Sequence, residues 1–151
     1  MKGPNRFAGA ALLCGALWAC SSSDSAATPS DGGACSAFAA APFATVTSDA
    51  GNLRVAIHSA PYPNLIAGLQ CIELVVSDPA TGATIDGLTV TMTPWMTAMG
   101  HGASVTPSVT ALGQGRYDFT NVSLFMPGEW QLRTHFSGPV MDSVEPTFNV
   151  D

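Results

Sequence analysis

Two thioethers and an imidazole lie within six residues of one another in Trp95-Met96-Thr97-Ala98-Met99-Gly100-His101-Gly102. Soft sulfur donors beside one nitrogen donor suit a soft cation, above all Cu(I). Thioethers stay available in an oxidising compartment where free thiols do not. Methionine is also never protonated at biological pH, so only His101 would make metal affinity proton-dependent. Gly100 and Gly102 let the backbone bend tightly around His101. Met126, further along the chain, is the fourth candidate donor. Met96, Met99, His101 and Met126 are therefore the expected metal ligands. The competing account is packing: methionines fill irregular apolar gaps, so the same sulfurs could plug one end of a β fold.

The elements that position these residues follow from alternation of apolar and polar residues. Leu53, Val55 and Ile57 alternate with Arg54, Ala56 and His58. Ile72, Leu74 and Val76 form a second run, and Leu88, Val90 and Met92 a third. Tyr117 and Phe119, then Trp130, Leu132 and Phe136, then Phe148 and Val150 continue the pattern, with a weaker run from Val105 to Ala111. Turn signals separate them at Asp78-Pro79-Ala80-Thr81-Gly82, Gly113-Gln114-Gly115, Pro127-Gly128 and Ser137-Gly138-Pro139. This predicts an all-β fold, an antiparallel immunoglobulin-like sandwich of seven or eight strands.

If each strand reverses its predecessor, the loops Ser59–Gly68, Pro94–Ser104 and Ser123–Gly128 share one end. Met96, Met99, His101 and Met126 then gather there. His58 lies near that end with a solvent-facing parity, and His135 runs toward the other. Met92 is in phase with Leu88 and Val90 and is expected in the core. Trp130 is expected to be the central core aromatic, Trp95 a lid on the core or a shield over the metal, and Met141 a surface residue.

The first nineteen residues read as an export signal. Lys2 and Arg6 precede an apolar run from Phe7 to Trp18 that is short for a transmembrane helix. Leu17-Trp18-Ala19-Cys20 resembles the bacterial lipobox, which makes Cys20 the lipidated first residue of the mature protein. Ser21 after it points to the outer membrane, on the periplasmic face. Residues 20–34 are the lipidated cysteine and a Ser/Ala/Gly/Asp-rich flexible linker that cannot bury a core. The folded domain is expected at 35–151. Removing the signal leaves three arginines, no lysine and eleven acidic residues, a net charge of −8. That balance excludes nucleic acid as a partner. Cys35 and Cys71 are the two cysteines left in an exported chain, which predicts a disulfide. A thiol metal pair is the alternative, with no short spacing behind it.

The order Asp78-Pro79-Ala80-Thr81-Gly82, Met99-Gly100-His101-Gly102, Gly115-Arg116-Tyr117 and Met126-Pro127-Gly128-Glu129-Trp130 resembles the YtkA-like domain, related to the FixH-like proteins. The resemblance spans roughly Leu53 to Val150. It implies a small extracytoplasmic sandwich, often membrane-attached, with some relatives associated with copper handling and assembly of copper-containing oxidases. It places Met96, Met99, His101 and Met126 in the family's motifs.

No Gly-x-Ser-x-Gly elbow, P-loop, dinucleotide fingerprint or paired-carboxylate spacing is present, so no enzyme activity is expected. A blue-copper centre needs a cysteine ligand, and Cys71 is committed to the disulfide. The expectation is a lipid-anchored envelope protein that carries or delivers Cu(I), possible partners being an apo-cuproprotein or another envelope protein. The alternative is a non-enzymatic interaction or structural module using the same loops.

Overall fold

The computed structural model describes Cys35 and residues 37–151. The expected export signal, lipidated Cys20 and linker lie outside the described residues. Ten strand segments are present: β1 (Ala44–Thr47), β2 (Arg54–Ala60), β3 (Gly68–Ser77), β4 (Thr89–Met96), β5 (His101–Gly102), β6 (Ser108–Gly113), β7 (Arg116–Leu124), β8 (Gly128–Ser137), β9 (Asp142–Val144) and β10 (Thr147–Val150). They form two antiparallel sheets, one in the order β1-β2-β3-β7-β6, the other β10-β8-β4-β5 with β9 also on β8. This is the expected all-β sandwich. The count exceeds seven or eight because β1 and β5 are short additions. In addition, one edge strand is split into β9 and β10 at Glu145-Pro146. Leu132 N–H donates to the Pro146 carbonyl at 2.9 Å, so the ladder continues across the split.

Alternation dictates which side chains meet. Val55, Ile57, Ile72, Leu74, Val76, Tyr117 and Phe119 face inward from the first sheet. Val90, Met92, Met96, Trp130, Leu132 and Phe136 face them from the second, and all are buried. Each such burial contributes about 1.5–3 kcal/mol before the entropy of ordering is counted. Trp130, 2% exposed, is a core aromatic as expected, and Met92 is core too.

Two features redirect the chain toward the site. First, β4 does not stop before Pro94, as the sequence predicts, but runs on to Met96. Pro94 lies opposite Leu132, whose own N–H points away from β4 to Pro146. The nitrogen side of Pro94 therefore faces the two-residue edge strand β5, where a missing donor costs little. Second, the β3–β7 register shifts between Gln70 and Ile72. Asn121 takes up the extra residue with φ 59°, a conformation asparagine tolerates. The bulge turns Val122 and Leu124 inward after Tyr117 and Phe119, although their numbers have opposite parity.

The end away from the site is tied by polar contacts. A side chain at Gly115 (φ 71°) would collide with the Val76 carbonyl, so only glycine fits there. Tyr117 donates its hydroxyl to the Ile85 carbonyl and accepts from Leu88 N–H. Asp142 on β9 reaches the β1–β2 turn, accepting from Ser48 Oγ at 2.6 Å, Ala50 N–H at 3.0 Å and Asn52 N–H at 3.2 Å. This carboxylate joins one sheet to the other.

On the outer face of the first sheet, Cys35 and Cys71 form the expected disulfide, with Cα atoms 5.6 Å apart. His58 is not solvent-facing as its parity predicts. It is 8% exposed, and its Nδ1–H donates to the Ala39 carbonyl at 2.8 Å. The segment that leads from the disulfide to β1 passes over this ring and hides it. In the same cross-strand row, Glu73 pairs with Arg116 and stands opposite Asp118. Burial, then the Glu73 charge and a hydrogen bond with Glu73, push the Asp118 carboxyl up to about 6, against the opposing pull of Arg116.

Candidate metal centre

The topology brings the loops before β3, after β4 and before β8 to one end of the sandwich, as the reversal argument requires. Gly68 pairs with Leu124, and Met96 with Trp130. A row of direct partners crosses the second sheet there: Trp130 on β8, Met96 on β4 and His101 on β5. Direct antiparallel partners project from the same face. Met96 points inward, so His101 is on the inward face too, but at the last residue pair of the sheet, where it stays exposed.

An open cavity of about 170 Å³ lies at this edge, lined by His101, Ala103, Ser123, Phe125, Met126 and Trp130, among others. His101 Nδ1–H donates to the Gly102 carbonyl at 3.1 Å. A carbonyl can only accept, so Nδ1 is the donor in this bond and Nε2 is not engaged by it. Met126 is half-buried against the core, and its carbonyl accepts from Trp130 Nε1–H at 2.8 Å. That bond holds the last turn before β8 over the indole.

The other two sulfurs occupy different environments. Met96 is 7% exposed and belongs to the hydrophobic core. It does not line the cavity. Its terminal methyl lies where a side chain on Gly128 would come within 3.1 Å, so the absent Cβ is what gives the thioether room. Met99 is 61% exposed on the turn that follows β4, where Met99 N–H and Gly100 N–H both approach the Met96 carbonyl. The structure therefore brings His101 and Met126 to one cavity, seats Met96 in the core near Gly128 and leaves Met99 in solvent beside them. Trp95 is neither a core lid nor a shield: it alternates to the outer face, where Arg133 stacks on its ring at 4.3 Å. Met141 is 77% exposed, a surface residue. Phe125 and Ser123 line the cavity without having been singled out in the sequence. Their only signal was their place between an apolar run and Met126.

Among the described residues no group of three His, Cys, Asp or Glu is arranged to hold a metal ion. Thioether donors fall outside that set. A second, larger cavity of about 250 Å³ is lined by Phe43, Asn64, Leu65, Phe148, Asn149 and Asp151. It has neither sulfur nor imidazole. The three loops at the metal-candidate end, 59–68, 97–107 and 123–127, contain no Asp, Glu, Lys or Arg.

A YtkA-like family model matches residues 47–135, more than half of the chain. The chain belongs to the YtkA-like family. The YtkA-like match covers His101 and all three candidate sulfurs but not Cys35, β9 or β10. No curated protein sequence is similar enough to count as a match. Among solved structures, FetP of uropathogenic Escherichia coli, recombinantly expressed in the periplasm, is similar at 14% identity and a TM-score of 0.50, covering 70% of this chain and 91% of FetP. A copper-bound variant of FetP is similar at 12% identity and a TM-score of 0.49, covering 71% and 93%. A copper-bound variant of a Campylobacter jejuni protein gives 12% identity and 0.48, covering 70% and 95%. Likeness at such identity shows the fold alone.

Proposed function

We propose that this protein is a lipid-anchored extracytoplasmic copper-binding protein that carries or delivers Cu(I). His101, through Nε2, and Met126 are the first two donors, both from residues that line the cavity. Met99 swings in from its turn as the third, and Met96, in the core beside Gly128, is the sulfur in reserve. The observation that carries this reading is that His101 and Met126 line one open cavity, with two more thioethers on the adjoining strand and turn. Three such donors, one of them on an exposed turn, make an exposed and exchangeable site. That suits transfer of the metal better than redox turnover. Neutral thioethers leave the cuprous charge in place, and the surrounding loops add no formal charge of their own.

Anaerobic titration of the exported chain with Cu(I) against a competing chelator tests the reading. The expected result is binding that falls by about tenfold or more in His101→Ala and in Met126→Ala. A His101→Ala, Met99→Ala double variant that binds as tightly as the parent overturns the site. Because only His101 competes with protons for the metal, affinity should fall on acidification.

The anchor follows from Cys20, and the Cys35–Cys71 disulfide agrees with an oxidising compartment. An acylated N-terminal peptide beginning at Cys20, found by mass spectrometry and lost in Cys20→Ser, tests it. A second reading, a non-metal interaction module, is favoured by Phe125, Leu69 and Tyr62 at the same end, which are 62%, 56% and 51% exposed. Loss of complex formation in Phe125→Ala with Cu(I) binding unchanged would favour that module.

A further inference from the structure

A two-sheet sandwich has four edges, and each exposes backbone donors and acceptors that another strand can pair with. Three of the four are blunted here. β1 is four residues long, β5 is two, and the β9–β10 edge is interrupted at Glu145-Pro146. The fourth edge, β6, is six residues long and exposed at every position. Its sequence, Ser-Val-Thr-Ala-Leu-Gly, contains neither a charge nor a proline. Charge and proline are two of the features by which natural edges avoid pairing, and β6 lacks both; its one irregularity is the bulge at Leu112, next to its last residue.

Its side chains are as uncovered as its backbone. Val109 stands directly opposite Phe119, so both face the interior of the sandwich. Phe119 is 1% exposed and Val109 is 43%. The second sheet ends at the two-residue β5, and Val109 is left partly uncovered. Leu112, at the β6–β7 bulge, is 49% exposed, and Val105 just before β6 is 42% exposed. Three large apolar side chains within eight residues therefore border an unpaired strand.

Charge leaves this edge as the approach least opposed for a second copy. Residues 35–151 hold nine acidic residues and three arginines, so two copies repel each other over most approaches. From Thr97 to Gly115 there is no Asp, Glu, Lys or Arg, and β6 lies in that stretch. Along this edge a second copy meets an uncharged strand of its own length, and an antiparallel pair about a two-fold axis satisfies both copies alike.

We propose that β6 is a self-association edge: two copies pair β6 with β6 antiparallel, join their five-stranded sheets into one of ten strands and cover Val105, Val109 and Leu112. The edges then left free are the blunted ones, so assembly stops at two copies. This inference does not depend on copper.

Sedimentation equilibrium of the exported chain over a wide concentration range, with amide hydrogen exchange, tests it. The expected result is a monomer–dimer equilibrium in which β6 amides gain protection as concentration rises. Val109→Lys and Leu112→Lys, each at an exposed position, should weaken association by about tenfold or more while leaving the thermal midpoint unchanged. A chain that stays monomeric throughout, a dimer that both variants leave intact, growth beyond two copies, or β6 amides unprotected in the dimer would each overturn it. Protection of β6 only on adding a different protein would also overturn it. Loss of Cu(I) binding in His101→Ala with the dimer intact would bear on the metal site and not on this edge.

Discussion

Met96 and His101 are direct partners across the β4–β5 ladder, yet the first is 7% exposed and the second lies open to solvent. The sheet ends at His101, so one member of the pair has a neighbouring strand on each side and the other has one on a single side only. Substitution should separate their roles. Met96→Ala is expected to lose about 2–4 kcal/mol of stability by leaving a cavity in the core, measured by denaturant unfolding. His101→Ala should stay within about 0.5 kcal/mol of the parent and lose Cu(I) affinity instead.

The Cys35–Cys71 bond spans a sequence separation of 36 residues. In the chain-entropy model, closing that loop constrains the unfolded chain by about 4 kcal/mol. A Cys35→Ser, Cys71→Ser double variant should lose about 3–4 kcal/mol in equilibrium unfolding. Hydrogen exchange should show the segment from Cys35 to Phe43 opening first, because the His58–Ala39 contact is then one of few ties left to hold it.

Asp142 clamps the two sheets together at the end away from the metal candidates. Partial burial raises its carboxyl. The bonds from Ser48 Oγ and from the Ala50, Ser143 and Asn52 amides outweigh that and hold it at about 2. Its folded value lies below its unfolded one, so its contribution is present above about pH 4 and is lost as pH falls through about 2. Asp142→Ala should cost about 1–2 kcal/mol at neutral pH, after discounting for the solvent that reaches this group. The gap between parent and variant should close in unfolding measurements below about pH 2.

Asp118 should behave in the opposite sense. Its carboxyl is held at about 6, so the folded protein keeps that proton longer than the unfolded chain does. Stability from this group is therefore present below about pH 4 and is lost as pH rises to about 6. Asp118→Asn imitates the protonated form. It should raise the thermal midpoint by about 2–4 °C at pH 7.5 and leave it unchanged near pH 4.

Much of this protein was legible in its chain. Apolar parity picked out Val55, Ile57, Leu74, Val90, Trp130 and Leu132 as interior residues, because a pleated strand with one buried face has a period of two. Reversal of successive strands put Met96, Met99, His101 and Met126 at one end. The arithmetic of two remaining cysteines in an exported chain anticipated the Cys35–Cys71 bond. Parity misled at His58, since a strand has two faces but its sequence does not say what lies across the outer one. The proline signal misled at Pro94, because a missing donor matters only if a neighbouring strand stands ready to accept from it.

Local alternation and turn chemistry, acting through contacts of a few residues, therefore settled the fold class, the core and the end of the sandwich where the soft donors gather. Which of those donors face solvent, and which edge lies bare, was decided only by the tertiary structure. Those properties depend on where the opposing sheet stops, on the bulge at Asn121 and on the absent Cβ of Gly128 beside Met96, all of which are relations between residues distant in the chain.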